Sequence, residues 1–287
     1  MRVPRFGPAG KPLKYKGKIE GIPKYLRERG LDAFEYQAVY GVKIKEEDAK
    51  KLGEEARKYN VKLSIHAPYY INLCSTEQEK LEKSIERVVS SVQAAVWMGA
   101  ELVVFHPGAY KGLDPSKAFE IFIKSLKEIE DKISVFKEKI LLGAETMGKK
   151  NQFGSLDEII KASQEIDILV PVIDWAHLHA RDVGALNEPR DFIIVLERIE
   201  NELGTDVAKN LHCHFTRVEY TQAGERRHHI MSEEDFGPEF RDLAEAIAET
   251  GFISTIISES PLLDEDALVM KQILIDVLRE KGLLRHS

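Results

Sequence analysis

KLSIHAP, residues 62–68, is a short apolar run that ends in a histidine followed by a small residue and a proline. ELVVFHP at 101–107 has the same form, and ILLGAET at 140–146 ends in an acid and a threonine. LVPVIDWAH at 169–177, NLHCHFT at 210–216 and ISTIISES at 253–260 continue the series, and RVPRFG at 2–7 and AFEYQAV at 33–39 precede it. Each run has the length of a strand, and the segments between them read as helices. EEDAKKLGEEARKYN (46–60) and PEFRDLAEAIAETG (238–251) are amphipathic. DPSKAFEIFIKSLKEIEDKISVFKE (114–138) opens on Asp114 as N-cap with Pro115 at the first helical position. SLDEIIKASQEI (155–166) carries the Ser155/Glu158 capping-box pair, and DEDALVMKQILIDVLREKG (264–282) stops at Gly282.

About eight strand–helix units follow, the repeat of a (β/α)8 TIM barrel. No Pro/Ser-rich linker divides the 287 residues, so residues 1–287 are expected to form one α/β barrel domain. A doubly wound open sheet is the second choice. It is weakened because no G-x-G-x-x-G follows the first strand.

With 43% hydrophobic and 31% charged residues, the composition suits a globular protein with a large core. No apolar run is long enough to span a bilayer, and MRVPRFGPAGKPLKYKGK lacks a signal-peptide core. Two cysteines, Cys74 and Cys213, suit a reducing compartment, and a cytoplasmic protein is expected. The net charge of −7 argues against a general nucleic-acid coat. It leaves room for a local basic face. The first 18 residues carry Arg2, Arg5, Lys11, Lys14, Lys16 and Lys18 and no acid.

The polar residues at the run ends are His66, His106, Glu145, Asp174, His214 and Glu259, spaced by 40, 39, 29, 40 and 45 residues. Each gap is about one strand–helix unit, so in a barrel all six would face the C-terminal mouth, where such folds place their active sites. His177 lies three residues after Asp174, and the doublet His228-His229 follows further on. Taken singly, a strand-end histidine is more often structural than a ligand, and Asp174 could simply cap a helix. Taken together, so many buried ionisable groups would be costly without ions. Imidazole with carboxylate suits zinc, manganese or iron(II), and this set exceeds the three or four ligands one ion needs.

Several of these segments resemble the endonuclease IV family, the zinc-dependent abasic-site endonucleases related to the xylose-isomerase-like barrels. HAPYYINL (66–73) is similar to the family's histidine strand with Tyr-x-Ile-Asn-Leu, and VVFHPG (103–108) to its second histidine strand. ETMGKKNQFGS (145–155) resembles its Glu-Asn-Thr-Ala-Gly segment, with fewer glycines. IDWAH (173–177) has its Asp-x-x-His, and SES (258–260) stands where it has Leu-Glu-Thr. The resemblance implies that His66, His106 and Glu145 bind one ion. It implies that Glu145 bridges to a second ion completed by Asp174, His214 and Glu259, and that His177 binds a third with a histidine of the doublet. The reaction implied is hydrolysis of the DNA phosphodiester 5′ to an abasic site, with two or three Zn2+ (or Mn2+), no organic cofactor and a monomeric chain. Glu145 would also orient the attacking hydroxide, and Tyr69 would contact DNA.

Register against the family makes His214 the ligand and His212, deeper on the same face, a structural residue. It makes His228 the ligand of the doublet and His229 either a residue behind the ligands or a phosphate contact, with Arg226 and Arg227 beside the DNA. Where the family has Asp-Arg-His-His, this chain has Arg226-Arg227-His228-His229. The acid of the third site is therefore open between Glu225 and Glu219. Lys149, Lys150, Arg217, Arg226, Arg227, Lys11, Lys14 and Lys16 fall in loops of the same face, which would attract phosphate. The competing function is a one-metal sugar isomerase or epimerase of the related barrels, for which Glu145, Asp174, His214 and Glu259 alone would suffice. A non-catalytic metal- or DNA-binding protein is least favoured by so complete a ligand set.

Overall fold

The computed structural model describes residues 3–136 and 139–284. Arg2 of the first run, Lys137 and Glu138 at the end of the run begun by Asp114, and the last three residues of the expected domain lie outside the described residues. Eight parallel strands are found among the described residues: β1 (Arg5–Pro8), β2 (Ala33–Gln37), β3 (Lys62–His66), β4 (Leu102–Phe105), β5 (Leu141–Glu145), β6 (Leu169–Asp174), β7 (His212–Phe215) and β8 (Thr255–Ser258). They pair in the order β1-β8-β7-β6-β5-β4-β3-β2. The ring closes between β1 and β2, where Ala9 bridges Glu35, Gly10 N donates to Glu35 O at 2.9 Å and Asp32 N to Phe6 O at 3.0 Å. A Cβ on Gly7 would lie 1.8 Å from Ala33 O, so only glycine allows β1 to approach β2 this closely. The fold is a (β/α)8 TIM barrel, and the open-sheet alternative is excluded by this closure.

The two-residue period of each strand separates its faces. Phe34, Leu63, Ile65, Val103, Phe105, Leu142, Ala144, Ile173, Cys213 and Phe215 join the large apolar core under the helices. The alternate positions face the barrel interior. Leu102, Val104 and Val172, with Val170, form a separate small apolar cluster there. The same inward parity carries Glu35, Ser64, His66, Glu145, Asp174, His212 and His214, and all of them are buried. The sequence alternation thus sends the large apolar core outward and leaves the polar residues in the barrel beside this small apolar cluster.

The helices follow their end signals. Asp114 accepts from Ser116 N at 2.9 Å at the start of Pro115–Lys132. Gly251, at φ 70°, ends Phe240–Thr250, and Gly282 follows Asp264–Glu280 at φ 67°. Ser155 and Glu158 close the expected capping box on Leu156–Glu165. Ser155→Ala should therefore lower unfolding free energy by about 1 kcal/mol in urea denaturation. No helix among the described residues is long and apolar enough to cross a membrane.

Two antiparallel pairs have no counterpart in the strand reading: the short Gly108–Ala109 with Gln152–Phe153, and a longer hairpin. After β7 the chain forms an antiparallel hairpin, Arg217–Thr221 with Gly224–His229, laid over the mouth. Its tip is tied to the loop after β5: Glu225 N donates to Gly148 O at 3.0 Å, and Lys150 N to Ala223 O at 3.2 Å.

Candidate metal centre

Glu145, at the end of β5, is wholly buried and central. His66 Nε2 lies 3.0 Å and His106 Nε2 3.3 Å from its Oε2, while His177 Nδ1 lies 3.1 Å and His214 Nδ1 3.6 Å from its Oε1. Three groups of candidate ligands, each with donor atoms within 4.8 Å of one another, meet here: His66–His106–Glu145, Glu145–Asp174–His214–Glu259, and His177–Glu225–His228. Glu145 belongs to two of them. His66, His106, His177, Glu225, His228 and Glu259 also line one cleft of about 190 Å³ with Tyr69 and Lys149 at its wall.

Three histidines are oriented by backbone. His66 Nδ1 is 2.9 Å from Ala67 O, His177 Nδ1 2.8 Å from Thr146 O, and His228 Nδ1 3.3 Å from Glu259 O. A carbonyl oxygen only accepts, so each Nδ1 carries a proton and each Nε2 is the nitrogen turned to its group, where it would offer a lone pair to an ion. Asp174 divides its two oxygens. Oδ1 accepts from His177 N at 2.8 Å and caps the short helix Trp175–Arg181, whereas Oδ2 is buried without a hydrogen bond. Glu145 Oε1, His214 Nδ1 and His228 Nε2 are likewise buried without one. Orphaned lone pairs of this kind are costly to bury. A set of nitrogen and carboxylate donors converging in this way fits zinc, manganese or iron(II).

The charges agree with that fit. Burial alone would raise the Glu145 carboxyl, but the imidazoles of His106 and His214 outweigh it and hold it well below the usual range. Burial would lower His66, yet its contact with Glu145 brings it up to about 9. Burial lowers His177 and His214 too, but Asp174 and Glu145 push the first up, and Glu35, Glu259 and Glu145 the second. Without metal, protons hold the cluster together. A histidine raised in the fold contributes stability that is complete below its unfolded pKa of about 6.5 and is lost as pH climbs through the folded value. In EDTA, thermal stability should therefore decline as pH rises from about 6.5 towards about 9 for His66. Zinc should flatten that slope; a metal-free melting temperature constant over the window would contradict the assignment.

The open acid of the third group is Glu225. Its Oε2 lies 3.5 Å from His177 Nε2 and its Oε1 3.5 Å from His228 Nε2. The reason is a register shift in the hairpin. Glu219 pairs with Arg227 and Tyr220 with Glu225, which leaves Arg226 as the extra residue of a bulge. The bulge puts Glu225 and His228 on one face, though three positions apart they would otherwise oppose. Arg226 instead turns outward, its side chain 65% exposed and paired with Glu219. A Cβ on Gly148 would sit 2.8 Å from Glu225 Cβ and 2.9 Å from His177 Cδ2, so this loop must be bare of a side chain there.

Two expectations need correction. His229, the last residue of the hairpin, is buried, stacked on Phe236 at 3.6 Å and 3.1 Å from Glu233 Oε2, so it is packed against the following loop and not presented to a phosphate. The basic face is also narrower than the loops suggested. Arg217 is buried against Glu239, Met231 O and Phe236 O, and Lys14 pairs with Glu265. Arg5 holds the carbonyls of Asp32 and Asn60. Lys149, Lys150 and Arg227 make no ion pair among the described residues. Tyr69 is 55% exposed at the rim, its ring 5.8 Å from that of His106. Tyr40 and Tyr70 are exposed as well.

The sequence reading passed over Glu35 and Gln37. Its available signal was AFEYQ itself, where every second residue from Ala33 faces inward and two of the three are polar.

The comparisons give these residues a context. An uncharacterized protein of Methanocaldococcus jannaschii is 37% identical over 265 residues, 92% of this chain and 94% of that protein. A probable endonuclease 4 of Aquifex aeolicus is 25% identical over 230 residues, 77% of this chain and 80% of that protein. In fold, endonuclease IV from Thermus thermophilus matches with a TM-score of 0.72 at 20% identity, covering 96% of this chain and 100% of its own. A D-tagatose 3-epimerase-like protein matches as well, with a TM-score of 0.71 at 21% identity over 92% and 95%. The fold is thus shared by both chemistries weighed above. The sequence profile described as xylose isomerase-like TIM barrel matches residues 23–275, and the chain belongs to that family.

Proposed function

We propose that this protein is a metal-dependent phosphodiesterase that hydrolyses DNA 5′ to abasic sites. The observation that carries the proposal is the convergence of three ligand groups on one mouth, two of them sharing Glu145, where a one-metal isomerase needs only the group Glu145–Asp174–His214–Glu259. The 25% identical probable endonuclease 4 supports the same reading. His66, His106 and Glu145 would hold one ion, Glu145, Asp174, His214 and Glu259 a second, and His177, Glu225 and His228 a third. Divalent ions there would supply positive charge to both the attacking and the leaving oxygen of a phosphoryl transfer.

The chain's own residues do the rest. Glu145, held as an anion, orients the attacking oxygen. Tyr69, half-exposed at the rim, offers a flat face to a nucleotide without its base or to the neighbouring base. Lys149, Lys150 and Arg227 take the flanking phosphates. Lys149 has its main chain fixed, since Arg181 Nη1 donates to Lys149 O at 2.7 Å and Gln152 Oε1 accepts from Lys149 N at 3.1 Å. Lys149→Ala should raise KM for abasic duplex roughly tenfold, leave kcat near wild type, and reduce the slope of log rate against log salt by about one. An unchanged slope would remove Lys149 from the DNA contact.

The deciding experiment is incubation with a duplex carrying one abasic site. A nick on its 5′ side is expected with zinc or manganese. No nick with zinc, manganese or magnesium, together with one ion per chain and interconversion of a keto sugar, would establish the isomerase reading instead.

A further inference from the structure

The barrel holds one more acidic residue as deeply buried as Glu145 and Asp174. Glu35, on the inward face of β2, is inaccessible to solvent. Its Oε2 accepts from Ser64 Oγ at 2.8 Å and from His212 Nε2 at 3.0 Å. Its Oε1 accepts from Gln37 Nε2 at 3.2 Å and lies 3.0 Å from His214 Nε2, at hydrogen-bonding distance though off the direct line. Glu35, His212 and His214 are close enough together to be read as a further metal group. Their bonding argues otherwise. Both carboxylate oxygens are already engaged by donors, so an ion would have to displace the hydroxyl of Ser64, the amide of Gln37 and the ring N–H of His212.

We infer that Glu35 is a positioning residue for His214, selecting the ring nitrogen that faces the ligand group of Glu145, Asp174 and Glu259. The inference rests on the metal-centre reading above. His66, His177 and His228 all give their Nδ1 proton to a backbone carbonyl and offer Nε2. His214 is reversed. Its Nδ1 lies 3.3 Å from Glu259 Oε1 and 3.6 Å from Glu145 Oε1, and its Nε2 points down the barrel to Glu35. Nδ1 can bring a lone pair only if the proton resides on Nε2, and the group that faces Nε2, 3.0 Å away, is a carboxylate. A carboxylate behind a ligating imidazole fixes its tautomer and raises its basicity. His212 holds the other oxygen, which gives a role to the histidine two residues back on the same strand.

The test uses the full chain loaded with zinc. Long-range 1H–15N NMR of the wild type should show His214 with a protonated Nε2 and a zinc-shifted Nδ1. Glu35→Gln, which preserves shape and removes the charge, should weaken one zinc ion by about 10–100-fold in chelator competition and leave the others unchanged. His214 coordinated through Nε2, or a Glu35→Gln variant whose zinc affinities all stay within about threefold of wild type, would overturn the assignment while leaving the metal centre standing. So would a wild type with one more ion than the three groups hold, lost in Glu35→Gln, which would make the cluster a metal site of its own. A wild type that takes up no zinc overturns both readings. The NMR arm needs no variant, so misfolding of Glu35→Gln leaves the inference testable.

Discussion

Glu145→Gln should reduce nicking of an abasic-site duplex at least about a thousandfold, equivalent to ~4 kcal/mol of transition-state stabilisation. Four imidazoles converge on this one carboxylate, at 3.0, 3.3, 3.1 and 3.6 Å. Glutamine keeps the volume and removes the charge that two ligand groups share. Metal content should fall by at least one ion per chain, and the variant should keep the barrel, because the inward-facing apolar cluster of Leu102, Val104 and Val172 is untouched. Measuring zinc content beside the nicking rate separates the two parts of the claim. Full metal content with lost nicking assigns Glu145 to orientation alone; nicking within tenfold of wild type removes it from the centre.

The second large effect belongs to the hairpin. Glu225→Gln should cost one ion and about a hundredfold in activity, on the scale of losses in metal-site contacts. Arg226→Ala, one position on, should leave metal content unchanged, since its exposed pairing with Glu219 is of the kind worth ~0–1 kcal/mol. Gly148→Ala should reproduce the loss of the ion without replacing a ligand, because the added methyl would lie 2.8 Å from Glu225 Cβ and 2.9 Å from His177 Cδ2. Retention of every ion in both Glu225→Gln and Gly148→Ala would mean that His177 and His228 are packed residues only.

The barrel was legible in the sequence because its signals are local. A strand of period two needs only its own residues to show which face is apolar, and Ser155 with Glu158, or Asp114 with Pro115, mark helix starts within one turn. The polar ends of KLSIH, ELVVFH, ILLGAE and VPVID are equally local, and the regular spacing of the runs places them at one mouth. The rest depended on contacts across the chain. Glu35 meets His212 across 177 residues of sequence, a pairing that no local pattern around AFEYQ encodes. Arg217 and His229, polar and next to a predicted site, are buried because the hairpin folds over Phe236 and Glu239.

Glu225 marks the boundary between the two. The resemblance implied an acid beside His177 and His228, the sequence put Arg226 in its place, and Glu225 and Glu219 were left as substitutes that the sequence could not choose between. Only the tertiary structure chose, by placing the bulge at Arg226. One extra residue in a strand inverts the side of everything beyond it, and the strand's partner, not its own sequence, decides where that residue is accommodated.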